Sequence, residues 1–138
     1  MSNMMKLEQQ VVSLELAKKL KELGVKQESL FYWKGIQSVN EGSFYDVVEL
    51  GDKKSFLGLD TEILASAFTV AELGERLNSY CETRKVGNEA MIKDGMKYVV
   101  YYELRKYHKE YADTEADARA KMLIYLLENS LLSEHLNK

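Results

Sequence analysis

Residues 97–129 read KYVVYYELRKYHKEYADTEADARAKMLIYLLEN, and the change of pattern inside that stretch decides the fold class. Tyr98, Val99, Val100, Tyr101 and Tyr102 are the β-branched and aromatic types that fit a pleated, half-buried surface, so Lys97–Arg105 is predicted to be a strand. Tyr107–Ala112 either continues it after a bend or makes a further edge strand. Thr114 then stands three residues before Asp117, a spacing in which the threonine oxygen accepts an unpaired amide hydrogen and the acid reaches back to the cap. The helix that starts there carries Met122, Leu123, Ile124, Tyr125, Leu126 and Leu127 in a row. A helix apolar around most of its circumference must be covered on more than one side, by the sheet or by a subunit contact. Asn129 is its expected stop, with Leu131, Leu132 and Leu136 extending a final turn.

The same threonine and acid spacing recurs upstream at Thr69 and Glu72, with Phe68 placed to pack on Leu73 as a hydrophobic staple. A helix is expected there with Val70, Leu73 and Leu77 facing inward. Gly74 lies mid-helix at ~1 kcal/mol relative to alanine, which implies a close neighbour or a weak helix. Further upstream, Leu14–Leu23 is predicted as a one-sided helix, capped by Ser13 and ended by Gly24, while residues 1–10 carry weak pattern and are expected to fray.

The aromatic run Leu30–Lys34 reads as one strand and Ser43–Leu50 as its antiparallel partner across Gly35–Gly42. Gly51–Lys54 is a turn, and residues 56–68 read as mostly irregular with a short strand near Ile63. Tyr80–Val86 is a strand, and Asp94 with Gly95 signals a hairpin turn into Lys97. The predicted class is α+β in a single domain, residues 1–138: one antiparallel sheet with about three helices packed on it, in the order α-β-β-α-β-β-(β)-α.

Composition narrows the function classes. Apolar residues make up 46% of the 138 and charged residues 30%, which is ordinary globular usage. Nineteen basic against 22 acidic residues give a net charge of −3, which disfavours a dedicated duplex-DNA binder. Cys81 is the only cysteine, so a disulfide within the chain and a cysteine-based zinc site are both excluded. With neither a signal segment nor an apolar run of membrane-spanning length, a cytoplasmic location is expected. There is no proline, so helix ends depend on caps and glycine.

Three segments carry a resemblance: VSLELAKKLKELGVKQESLFYW (Val12–Trp33), SAFTVAELGERL (Ser66–Leu77) and TEADARAKMLIYLLEN (Thr114–Asn129), together about a third of the chain. They resemble short, uncharacterised proteins of bacteriophages, prophages and related mobile elements of gut-type bacteria. The resemblance implies a phage accessory protein in the bacterial cytoplasm and brings no activity or catalytic residues with it. The chain departs from that pattern at Arg76, Leu77 and Asn78, where similar sequences often close with methionine, leucine and proline.

No nucleophile, base and metal set is legible, so a non-catalytic binding module without cofactors is expected. Tyr98, Tyr101, Tyr102, Tyr107 and Tyr111 interleave with Lys97, Arg105, Lys106 and Lys109. Rings can stack on unpaired bases and cations can follow phosphates, which makes single-stranded nucleic acid a sensible ligand for that strip. The plainer reading is sheet packing with hydroxyls at the rim. Trp33 can anchor a protein partner or lie in the core. Self-association through the apolar third helix or an exposed strand, and inhibition of a host enzyme or defence complex, are the protein-partner expectations. His108, Glu110 and Asp113 have a spacing that suits a metal but supply too few ligands. Cys81 lacks a neighbouring base and reads as a buried thiol.

Overall fold

The run Tyr98–Tyr102 forms the middle strand of a three-stranded antiparallel sheet, paired on one side with Cys81–Lys85 and on the other with His108–Ala112. A computed structural model describes residues 6–37, 45–51, 61–77, 80–85, 98–103 and 108–131. Within them the chain order is α1 (Leu7–Gln10), α2 (Leu14–Glu22), β1 (Tyr32–Gln37), β2 (Tyr45–Gly51), β3 (Thr61–Ser66), α3 (Val70–Arg76), β4 (Cys81–Lys85), β5 (Tyr98–Tyr102), β6 (His108–Ala112) and α4 (Glu115–Glu128). The class is α+β, as the pattern predicted.

The strands divide into two sheets, β2-β1-β3 and β4-β5-β6, where the sequence suggested one. Edge occupancy explains the division. β2 and β3 take both edges of β1, β4 and β6 take both edges of β5, and α3 stands between β3 and β4 in the chain. β3 is longer than the short strand expected near Ile63, because all six residues lie along β1 from Ile36↔Thr61 to Tyr32↔Ser66, with Leu64 bulged out of register. Residues 7–10, expected to fray, make a helical turn, and Val11 then bridges to Thr69. Tyr107–Ala112 proves to hold a separate edge strand from His108 onward. The Asp94–Gly95 turn, Leu132 and Leu136 lie outside the described residues.

Helix α4 is covered by its own chain. Ala116, Ala118, Ala120, Met122, Leu123 and Leu126 are fully buried and share one core with Leu20 of α2, Ala65 of β3, Leu73 of α3, Val100 and Tyr102 of β5, and Ala112 of β6. Packing against α2, α3 and the second sheet therefore satisfies the apolar circumference that left a subunit contact open. Each buried leucine contributes about 1.5–3 kcal/mol by leaving water.

The two capping acids behave differently. In α3 the box is complete: Thr69 Oγ1 accepts from the Glu72 amide at 3.2 Å, and Glu72 Oε1 accepts from the Thr69 amide at 2.9 Å. In α4, Thr114 Oγ1 accepts from the Asp117 amide at 3.2 Å, but the Asp117 carboxylate turns away and accepts from the Ser13 amide at 2.7 Å. Ser13 therefore occupies the cap position of α2 without a side-chain cap bond, and its backbone ties α2 to the first turn of α4. Burial raises the Asp117 carboxyl above the ordinary value, against the Ser13 amide, which favours the charge.

Helices α2 and α4 end alike. Val25 N donates to Leu20 O and Gly24 N to Lys21 O, while Leu131 N donates to Leu126 O and Ser130 N to Leu127 O. Both are Schellman ends, with Gly24 at φ 92° and Ser130 at φ 58° as the left-handed residue. Gly74 has the close neighbour its position implied: a Cβ there would fall on Nη1 of Arg119. That guanidinium is held by the Val70 carbonyl at 2.9 Å, Thr83 Oγ1 at 3.1 Å and Glu115 at 3.0 Å.

Candidate interaction face of the second sheet

Alternation along β5 sends Tyr98, Val100 and Tyr102 toward α4, where the Tyr102 ring meets Tyr125 edge-on at 6.4 Å. Val99 and Tyr101 take the opposite, outer face. Residues directly opposite in an antiparallel ladder share a face, so Tyr101 is joined by Glu82 and Lys109, and Val99 by Arg84 and Tyr111. Val99 is buried and Tyr101 half-buried, while Glu82, Arg84, Glu103, Lys109 and Tyr111 are exposed.

Tyr101 is the centre of this face. The Arg84 guanidinium lies 5.3 Å from its ring centroid and the Lys109 ammonium 5.4 Å, the two cations arriving from strands on opposite sides of β5. Arg84 also pairs with Glu82 at 3.1 Å, and that hydrogen bond raises the guanidinium above its ordinary pKa. Glu82, Arg84, Tyr101 and Glu103 line a depression of about 230 Å³. A half-buried aromatic ring thus sits within a rim of mixed charge.

Of the residues singled out in the sequence, Tyr101 and Lys109 come together here. Arg105, Lys106 and Tyr107 lie outside the described residues. Trp33 belongs to the other sheet and turns inward; its indole N–H donates to the Val12 carbonyl at 2.9 Å and its ring packs against the core. Glu82 and Arg84 were not singled out, because their place beside Tyr101 depends on the β4–β5 register across residues 86–97; Glu103, two residues beyond Tyr101, was open to the same alternation and was not singled out either. A signal does exist in the alternating charges of CETRK, which marks Glu82 and Arg84 as one face of a strand.

His108 and Glu110 form a pair on the α4 side of β6. His108 Nε2 and Glu110 Oε2 lie 2.6 Å apart, and the imidazole stacks on Tyr125 at 3.5 Å between centroids. Among the described residues, no group of three His, Cys, Asp or Glu side chains could hold a metal ion. Cys81 and His108 both lie opposite Tyr102, on the two strands that flank β5. No helix among the described residues is long and apolar enough to cross a membrane. Comparison with known protein families, with curated proteins and with solved structures returned no match.

Proposed function

We propose that this chain is a non-catalytic interaction module that engages a protein partner through the outer face of β4-β5-β6. The observation that carries the reading is Tyr101 held between Arg84 and Lys109 inside a charged rim. Tyrosine and arginine are the residue types that dominate binding energy at protein interfaces. Glu82 and Glu103 balance Arg84 and Lys109, and interspersed charge suits a protein surface better than a phosphate chain, which calls for an excess of cations. A phage or mobile-element accessory role in the bacterial cytoplasm belongs to the same proposal and rests on the resemblance of the three segments. A host enzyme or defence complex is the partner class that origin suggests.

The test is capture from bacterial lysate on immobilised chain. A stoichiometric protein should be retained by the wild type and by Trp33→Phe, and lost with Tyr101→Ala and Lys109→Glu; retention indifferent to Tyr101→Ala overturns the face. Single-stranded oligonucleotides at low salt make the other arm. Salt-sensitive binding that loses about 1–3 kcal/mol in Tyr101→Ala would transfer the face to nucleic acid. Turnover of a substrate abolished by His108→Ala or Cys81→Ser would remove the non-catalytic part.

A further inference from the structure

Three tyrosines cross the outer face of the second sheet on a diagonal. The Glu103 amide donates to the Tyr80 carbonyl at 3.1 Å, which extends the β4–β5 ladder by one pair and sets Tyr80 beside Glu103, on the side of Glu82 and Arg84. Tyr101 is the middle of the row, and Tyr111, opposite Val99, is its far corner on β6. Of the large hydrophobic side chains exposed among the described residues, Leu30, Tyr80 and Tyr111, two are therefore the ends of one row, at 47% and 38% exposure. Each step crosses one strand spacing and two residues of strand, about 8 Å, so the row is about 16 Å long. Charge divides it. Glu82 and Glu103 flank the step from Tyr80 to Tyr101, where the depression lies, whereas Lys109 and Val99 flank the step from Tyr101 to Tyr111.

We propose that this row docks a proline-rich segment of another protein in the polyproline II conformation, with a basic residue of that segment beside Glu103. The inference rests on the partner face described above and names its occupant. Two polyproline turns, about 19 Å, span the row, and separated aromatic rings leave clefts of the kind that prolines enter. An extended strand laid on the face would bury amide hydrogens without acceptors, but proline carries none, and tyrosine hydroxyls can donate to the carbonyls that this conformation leaves open. A helix is about 10 Å wide and would cover Glu82 and Lys109 together with the rings, at a desolvation cost; a narrower ribbon leaves those charges in water along its flanks. Arg84 already engages Glu82 at 3.1 Å, so Glu103 is the acid that meets the ligand's cation. These 138 residues contain no proline, which excludes a second copy as the occupant.

The probe is a capped peptide of one arginine followed by two turns of polyproline, titrated to about 1 mM into isotope-labelled chain and followed by amide chemical shifts. The shifts should concentrate on β4, β5 and β6. Tyr80→Ala, Tyr101→Ala and Tyr111→Ala should each weaken binding about fivefold or more, with circular dichroism unchanged. Exchanging the peptide's arginine for glutamate should weaken binding to the wild type and strengthen binding to Glu103→Lys. A glycine and serine peptide with the same arginine should leave the amides unshifted. A wild type that shows no shifts on these strands, affinity indifferent to both Tyr80→Ala and Tyr111→Ala, or equal binding of the glycine and serine peptide would each overturn the proline-rich occupant. None of those results touches the broader reading of the face, which stands or falls with Tyr101→Ala in the lysate capture.

Discussion

At the scale of single residues, side chains that look local in the sequence act across the fold. Gly74 is the clearest case, because alanine is a better helix former by ~1 kcal/mol, yet a Cβ there meets the Arg119 guanidinium. Gly74→Ala is expected to destabilise by about 1–3 kcal/mol, since it strains or breaks bonds to Val70, Thr83 and Glu115. In an Arg119→Ala background the same change should be neutral or stabilising. A double-mutant cycle in urea checks this, and additive effects would exclude the clash as the cause. Asp117 supplies the pH dependence. Burial raises its folded pKa above the ordinary carboxylate value it regains on unfolding, so the folded state holds the proton more tightly. The associated stabilisation is present below the ordinary carboxylate value and is lost as pH rises through the raised folded value. Asp117→Asn keeps an acceptor for the Ser13 amide and removes that loss, so it should gain on the wild type between about pH 3 and pH 7. Unfolding free energies at the two pH values decide it: a difference that stays flat or reverses contradicts the assignment.

At the scale of elements, the two threonine-capped helix starts were legible, while the Ser13 side-chain cap of α2 is not made and one helix end was not legible. Thr69 and Thr114 both cap as their spacing indicated, and Gly24 ends α2, because these devices use neighbours within a few residues. For α4 the stop falls at Asn129, where a residue of polar type signalled it, but the left-handed position is Ser130. A serine at φ 58° bears a strain that glycine does not. Ser130→Gly should therefore raise stability by about 1 kcal/mol, read as a shift in thermal midpoint, and a drop would mean that the serine side chain outweighs the backbone term. Strands divided the same way. Tyr98–Tyr102 was legible because its composition is emphatic, whereas TEILAS owes its full length to the open edge of β1.

For the whole molecule, one core joins the two sheets. Trp33 and Ala65 of the first sheet belong to the same cluster as Val100 and Tyr102 of the second and Leu123 and Leu126 of α4. Leu123→Ala should cost about 2–5 kcal/mol and lower both sheets together. Trp33 fluorescence reports the first sheet, so its denaturation curve should coincide with far-ultraviolet dichroism in wild type and variant; separated curves would mean two independent units. The sequence by itself determined the α+β class, the three longer helices, the threonine caps of two of them and the segments able to be strands, because propensity, capping and alternation are rules among residues close in the chain. Tertiary structure alone decided that the strands form two sheets, that Asp117 leaves its own cap for an amide 104 residues away, and that Tyr101 stands between Arg84 and Lys109. Alternation assigns a side chain to a face but names no partner across the ladder; register is settled only when distant segments compete for the same edges and the same core.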